Sequence, residues 1–237
     1  KRQMPELPEV ETTVAGIKPY LIDTVIERLV IRQPQLRWPV TQGIEDTAKG
    51  LKIENVSRRA KYIIVSLTKG SFLIHLGMSG SLRLITNSDS LKKHDHIQMH
   101  LSNGHVLTFH DPRRFGCWLW SKYDHALLEK LGPEPLSSNF SGEYLWNKAR
   151  KRTAPVKSFI MDSRIVVGVG NIYANEALFE SGIKPQRRAG KISFKRYEVL
   201  AENIKVILSS AIEQGGTTLR DFTNSKGEPG YFEQSLS

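Results

Sequence analysis

Val10, Val14, Ile17 and Leu21 recur every three or four residues near the start of the chain, the spacing of one buried helix face. Pro8 falls just inside the expected first turn, where a missing N–H costs nothing. From residue 24 the pattern changes to short β-rich runs, at 24–31, 51–56, 62–67, 72–76, 81–85, 97–101 and 106–109. Strands at this spacing predict a β-sandwich. Asn103-Gly104 between the last two runs signals a two-residue hairpin turn. The stretch LGPEPLSSN at 131–139 carries two prolines and a glycine and reads as a linker. Helical spacing then returns at 142–151, 154–161, 171–181 and 193–214. In the last of these Tyr197, Leu200, Ile204, Leu208 and Ala211 form the apolar stripe, with Ser193 as N-cap and Gly215 as C-cap. The tail, 215–237, is rich in Gly, Thr and charge and reads as a loop.

The pattern therefore predicts an α+β protein. An N-terminal β-sandwich domain with an N-terminal helix covers 1–131, a linker 132–139, and a helical domain 140–237. A cleft between two such domains is a natural place for a ligand.

Charge narrows the choice of partner. Lys and Arg number 34 against 24 Asp and Glu, a formal charge of +10, and the sequence pI is about 9.7. Such a surface suits a polyanion, most often nucleic acid. The cations are clustered: Lys148, Arg150, Lys151, Arg152 and Lys157 form one run without an acid, and Lys184, Arg187, Arg188, Lys191, Lys195 and Arg196 another. A solvated helix face usually interleaves both signs. No apolar run is long enough to span a bilayer, and the start lacks the apolar segment of a signal peptide, so a cytoplasmic location is expected. Cys117 is the only cysteine; it rules out a disulfide framework and a cysteine zinc site, and reads as a small buried apolar residue. His94 and His96 flank Asp95, but with no further ligand cluster they do not read as a metal site.

Nine motifs in order carry a resemblance. They are PELPEVET from Pro5, RRAKY from Arg58, HLGMSGSL from His75, KHDH from Lys93, DPRRFG from Asp111, LGPEPL from Leu131, VGVGNIYANEALF from Val167, QGGTTLRDF from Gln214 and GYFEQ from Gly230. Together they resemble the bacterial formamidopyrimidine-DNA glycosylases over nearly the whole chain. That resemblance implies a helix–two-turn–helix element in the helical domain. It also implies a monomer that removes oxidised purines (8-oxoguanine and formamidopyrimidines) from double-stranded DNA and then cuts the strand.

Roles follow by the same resemblance. Pro5 is the nucleophile, because a terminal proline is a secondary amine that is partly free base near neutral pH. Glu6 is the acid that protonates the sugar O4′, a task that calls for a raised pKa. Glu9, one turn on, supports the site. Lys61 holds a phosphate and serves the elimination step. Met78, Arg113 and Phe115 fill the hole left by the everted base, with Arg113 forking onto the orphaned cytosine. His94, Arg152, Lys157 and Asn171 contact DNA; Arg152 stands where relatives carry lysine. At Gly168 and Gly170 a tight turn opens a helix whose N-terminal amides attract phosphate. Gly216, Thr217 and Thr218 belong to a loop that closes over the damaged base.

Lys1-Arg2-Gln3 precede Met4, and an internal proline is an amide that cannot attack, so translation is expected to begin at Met4. Relatives carry a zinc finger with four cysteines and a DNA-gripping arginine. This chain is expected to be truncated before it, with no cofactor. A non-catalytic module that binds damaged DNA is the alternative reading. An oxidised-pyrimidine glycosylase fits less well, since that branch begins PEGPEI.

Overall fold

The computed structural model describes residues 4–86 and 90–221. Helix α1 (Leu7–Leu21) opens the fold and buries Leu7, Val10, Val14, Ile17 and Leu21, the predicted stripe extended by one residue. Eight strands follow: β1 (Ile26–Ile31), β2 (Ile53–Arg59), β3 (Tyr62–Leu67), β4 (Ser71–His75), β5 (Ser81–Thr86), β6 (Asp95–Leu101), β7 (His105–His110) and β8 (Cys117–Ser121), with a one-turn helix α2 (Ile44–Ala48) after β1. They form two four-stranded antiparallel sheets, in the orders β1-β6-β7-β5 and β2-β3-β4-β8. Alternate residues supply one shared core: Leu29, Met99, Leu107 and Leu84 lie in register across the first sheet, and Ile63, Ile74 and Trp118 across the second. This is the sandwich that period-two spacing predicts.

The helical part comprises α3 (Gly142–Ala149), α4 (Val156–Met161), α5 (Asn171–Glu180) and α6 (Phe194–Asp221). Ser141 caps α3, its hydroxyl accepting the Tyr144 N–H at 3.1 Å. Ser193 caps α6 more loosely, accepting the Arg196 N–H at 3.4 Å. Tyr197, Leu200, Ile204 and Leu208 are buried in a second core with Phe140, Leu145, Ile160 and Leu178. The chain divides into two compact units. One gathers Pro5, Glu9–His125 and Gly215; the other gathers Glu6–Pro8 and Ala126–Gln214.

Three expectations need correcting. The hairpin after β6 pairs His100 with Val106, so its loop takes in Ser102 as well as Asn103 and Gly104. Asn103 Oδ1 accepts the His105 N–H at 3.1 Å, and Gly104 supplies a φ of 86°. Strand β8 and helix α2 are additions. Finally, Gly215 does not end α6, which continues to Asp221. Glycine in a helix costs about 1 kcal/mol, and the helical turns run on through it. Gly216, Thr217 and Thr218 therefore have helical backbone, while their side chains lie outside the described residues, as does GYFEQ.

Candidate active site and nucleic-acid interface

In the second unit, Glu6 places its carboxylate at the start of α5. Its side chain is 1% exposed. Oε2 accepts the Gly170 N–H at 2.8 Å and the Tyr173 N–H at 3.4 Å, and Oε1 accepts the Ile172 N–H at 2.8 Å. These are the unpaired first-turn amides of α5, whose dipole also favours an anion. The expected phosphate-binding amides are thus occupied by the protein's own carboxylate, and Asn171 is left exposed between them.

The two glycines of the turn make this docking possible. A Cβ on Gly170 would lie 2.4 Å from the Glu6 carboxyl carbon. At Gly168, with φ +81°, a Cβ would lie 2.5 Å from Leu7 Cδ1, and the Gly168 carbonyl accepts the Leu7 N–H at 3.2 Å. Half-buried Pro5 directly precedes this anchored segment. In the same unit the two basic runs meet. The Val156 N–H donates to Arg187 O at 2.7 Å, Lys157 N–H to Pro185 O at 3.2 Å, and Gly190 N–H to Arg152 O at 2.9 Å. Exposed Arg152 and half-buried Lys157 therefore share one cationic face with Arg187 and Arg188, the electrostatic footprint of a phosphate backbone.

In the first unit, Lys61 is half-buried at the tip of the β2–β3 hairpin, where Arg59 pairs with Tyr62. Its neighbour Ala60 sits at φ 55°, costly for a residue with a Cβ. Arg58 holds that turn, its Nη1 donating to Ala60 O at 2.8 Å while its Nε pairs with Glu11. His75, which the sequence reading passed over, makes an edge contact with Tyr62 at 4.9 Å. Its Nδ1 accepts the Gly77 N–H at 2.9 Å, which leaves Nε2 as the N–H donor. Burial, then the charges of Lys61 and Arg37, push its pKa down to about 4. A neutral donor beside a lysine suits a phosphate oxygen. The signal lay in HLGMSGSL, read there only for its methionine.

Met78 is half-buried in the loop after β4, and Arg113 and Phe115 are exposed in the turn before β8, with the guanidinium 4.9 Å from the phenyl centroid. His94 is half-buried beside a shallow concavity of about 360 Å³ lined by Arg32, Lys93, His96 and Arg114. Behind this loop stands Asp95, fully buried. It accepts two hydrogen bonds from Arg83, one from His110 Nδ1 at 2.9 Å and one from the Lys92 N–H at 2.7 Å. Burial raises its pKa, but those four bonds outweigh it and hold the carboxyl below its usual value. Arg32 closes the loop from the other side, donating to Asp95 O at 2.9 Å.

Zinc finds no site in what is described. Cys117 is buried, its thiol pushed to about 11 by burial, and no group of three His, Cys, Asp or Glu among the described residues is placed to hold a metal. No described helix is long and apolar enough to cross a membrane.

A β-sandwich unit together with a helical unit that carries paired basic runs and a buried glutamate at a helix start suits an enzyme that acts on a nucleic acid. Comparisons with known proteins specify it. The family model for the formamidopyrimidine-DNA glycosylase N-terminal domain matches residues 4–118, and that for the formamidopyrimidine-DNA glycosylase H2TH domain matches residues 131–223. Formamidopyrimidine-DNA glycosylase of Marinobacter nauticus is 56% identical over 98% of this chain and 87% of its own length. That of Alcanivorax borkumensis is 53% identical over 99% of the chain and 87% of its own length. Among solved structures, Lactococcus lactis formamidopyrimidine-DNA glycosylase bound to DNA containing an AP site superposes with a TM-score of 0.84. Its identity is 29%, over 92% of this chain and 86% of that one. The same enzyme with DNA containing FAPY-dG gives a TM-score of 0.82 at 30% identity, over 88% and 80%. The chain belongs to the formamidopyrimidine-DNA glycosylase family.

Proposed function

We propose that this protein is a base-excision repair enzyme that removes oxidised purines from double-stranded DNA and then cleaves the strand as an AP lyase. Pro5 performs the chemistry when its nitrogen is an unacylated secondary amine. The lone pair attacks C1′, the glycosidic bond breaks and its electrons leave with the base. The C1′–O4′ bond then opens as the N–C1′ iminium forms, and O4′ takes up a proton. Glu6, whose carboxyl oxygens accept three α5 amides, is suited to take that proton from the proline ammonium and pass it on. The iminium acidifies the C2′ proton; its loss expels the 3′ phosphate, which Lys61 and the His75 N–H are suited to steady. Arg152, Lys157, Asn171 and His94 grip the backbone, Met78, Arg113 and Phe115 fill the vacated stack, and Gly216, Thr217 and Thr218 contribute to recognition of the everted base. Such a protein works on chromosomal DNA, in the cytoplasm of a bacterium.

The observation that carries this reading is the anchored Glu6 carboxylate next in sequence to Pro5; a module that merely holds DNA has no use for it. The test is borohydride trapping on duplex containing 8-oxoguanine, using protein whose first residue is Pro5. A covalent adduct is expected, and Pro5→Gly should lose most of it. Absence of an adduct from the Pro5-first protein defeats the mechanism.

A further inference from the structure

Met78 lies on one loop, residues 76–80, and Arg113 and Phe115 on another, residues 111–116, yet their backbones are in contact. A Cβ on Gly77 would lie 2.5 Å from the Phe115 carbonyl carbon, and one on Gly116 would lie 2.5 Å from His75 O. Ser79 sits at the junction. Its hydroxyl donates to Asp111 Oδ1 at 2.8 Å and accepts the Arg113 N–H at 3.1 Å. Asp111 is 0% exposed. Its Oδ2 accepts the Gly116 N–H at 2.8 Å. Its backbone N–H donates to His94 O at 3.0 Å, and its carbonyl accepts from His96 Nε2 at 2.8 Å. One buried residue thus joins the Met78 loop, the Arg113 loop and the His94 loop, and every bond is of ordinary length.

We propose that Ser79 and Asp111 are positioning residues that lock the two wedge loops into a single unit, so that discrimination of the opposite base by Arg113 depends on the Ser79 hydroxyl. The inference rests on the reading that Arg113 faces the orphaned base. A guanidinium distinguishes cytosine from adenine only if its fork is held in place. Exposed Arg113 has its backbone fixed by its own N–H on Ser79 at 3.1 Å, and its guanidinium lies 4.9 Å from the Phe115 ring in the same locked loop.

The experiment measures excision of 8-oxoguanine opposite cytosine and opposite adenine, with kcat and KM separated, for wild type, Ser79→Ala, Ser79→Thr, Arg113→Ala and the double variant S79A/R113A. Ser79→Ala should lower the cytosine-to-adenine preference by about five-fold, the worth of one hydrogen bond. Ser79→Thr, which keeps the hydroxyl, should restore it. In the Arg113→Ala background Ser79→Ala should remove nothing more. A general loss of fold would slow both substrates alike and leave their ratio alone. If Arg113→Ala changes the ratio and Ser79→Ala does not, or if the two losses multiply, the coupling is wrong. If Arg113→Ala itself leaves the ratio unchanged, the reading of Arg113 as the base reader fails first.

Discussion

Glu6 and Asp95 are both carboxylates of 1% exposure, but they are held by different means. Asp95 faces a guanidinium, an imidazole and one backbone N–H. Glu6 accepts three backbone N–H groups at the start of α5. An anion locked to a buried cation cannot take or give a proton without leaving the partner charge uncompensated. An anion held by amide dipoles can, because the amides carry no net charge and stay bonded to the neutral acid in part. The sandwich carboxylate is therefore fixed for shape, while the helix-end carboxylate keeps the freedom that the proposed chemistry asks of Glu6.

The sharpest way to break that contrast is Glu6→Gln. Turnover should fall by about 10²–10⁴-fold, the usual worth of a general acid–base group. Unfolding free energy should fall by only about 1–3 kcal/mol, because one amide donor then faces another. Steady-state excision beside a denaturant titration reads both. Equal percentage losses in the two would remove the distinction.

Asp95→Asn should do the reverse. It removes the charge shared by the buried Arg83 guanidinium and His110, which costs about 3–5 kcal/mol, while excision per folded molecule on short duplexes stays within a few-fold of wild type. A stable Asp95→Asn protein would mean that the Asp95 charge adds little to the fold.

What the sequence revealed of these two sites differs for the same reason. Sandwich strands were legible because buried positions alternate, as in Ile63, Val65 and Leu67. Strand β8 was not, since Cys-Trp-Leu-Trp has no polar alternation, and α2 spans only five residues. The candidate residues Pro5, Glu6 and Lys61 came from motif resemblance. Nothing local to Glu6 revealed its donors, which lie 164 to 167 residues away. Gly168 and Gly170 were legible as a turn, but that their missing Cβ atoms make room for Leu7 and Glu6 is a tertiary fact. Asp95 was first weighed as a metal ligand; its real partners appear only when the β6–β7 register places it opposite His110.

Acid should separate the two regions further. His75, His100, His110 and His125, all in the first unit, have pKa values lowered, each chiefly by burial. A histidine with a depressed folded pKa contributes fully above its unfolded value, near 6.5, and loses that contribution as pH falls through the folded one. For His75, with a folded value of about 4, the loss between pH 7 and pH 5 is about 2 kcal/mol. His75→Asn should flatten that slope in a urea titration repeated across the range. An unchanged slope means His75 is not held neutral by the fold.

The smallest effect concerns how the lysine hairpin is held. Ala60 at φ 55° carries a strain of about 1 kcal/mol, and Arg58, paired with Glu11, grips its carbonyl. Ala60→Gly should relieve the strain, offset in part by the greater freedom of glycine in the unfolded chain, for a net gain of about 0.5 kcal/mol. If the strain exists to place Lys61, strand cleavage at a preformed AP site should slow by about two- to three-fold, with base removal unaffected. Thermal unfolding and the two single-turnover rates decide it. A lower melting temperature would mean the turn is not strained at all, and the lysine would then owe its position to the hairpin register alone.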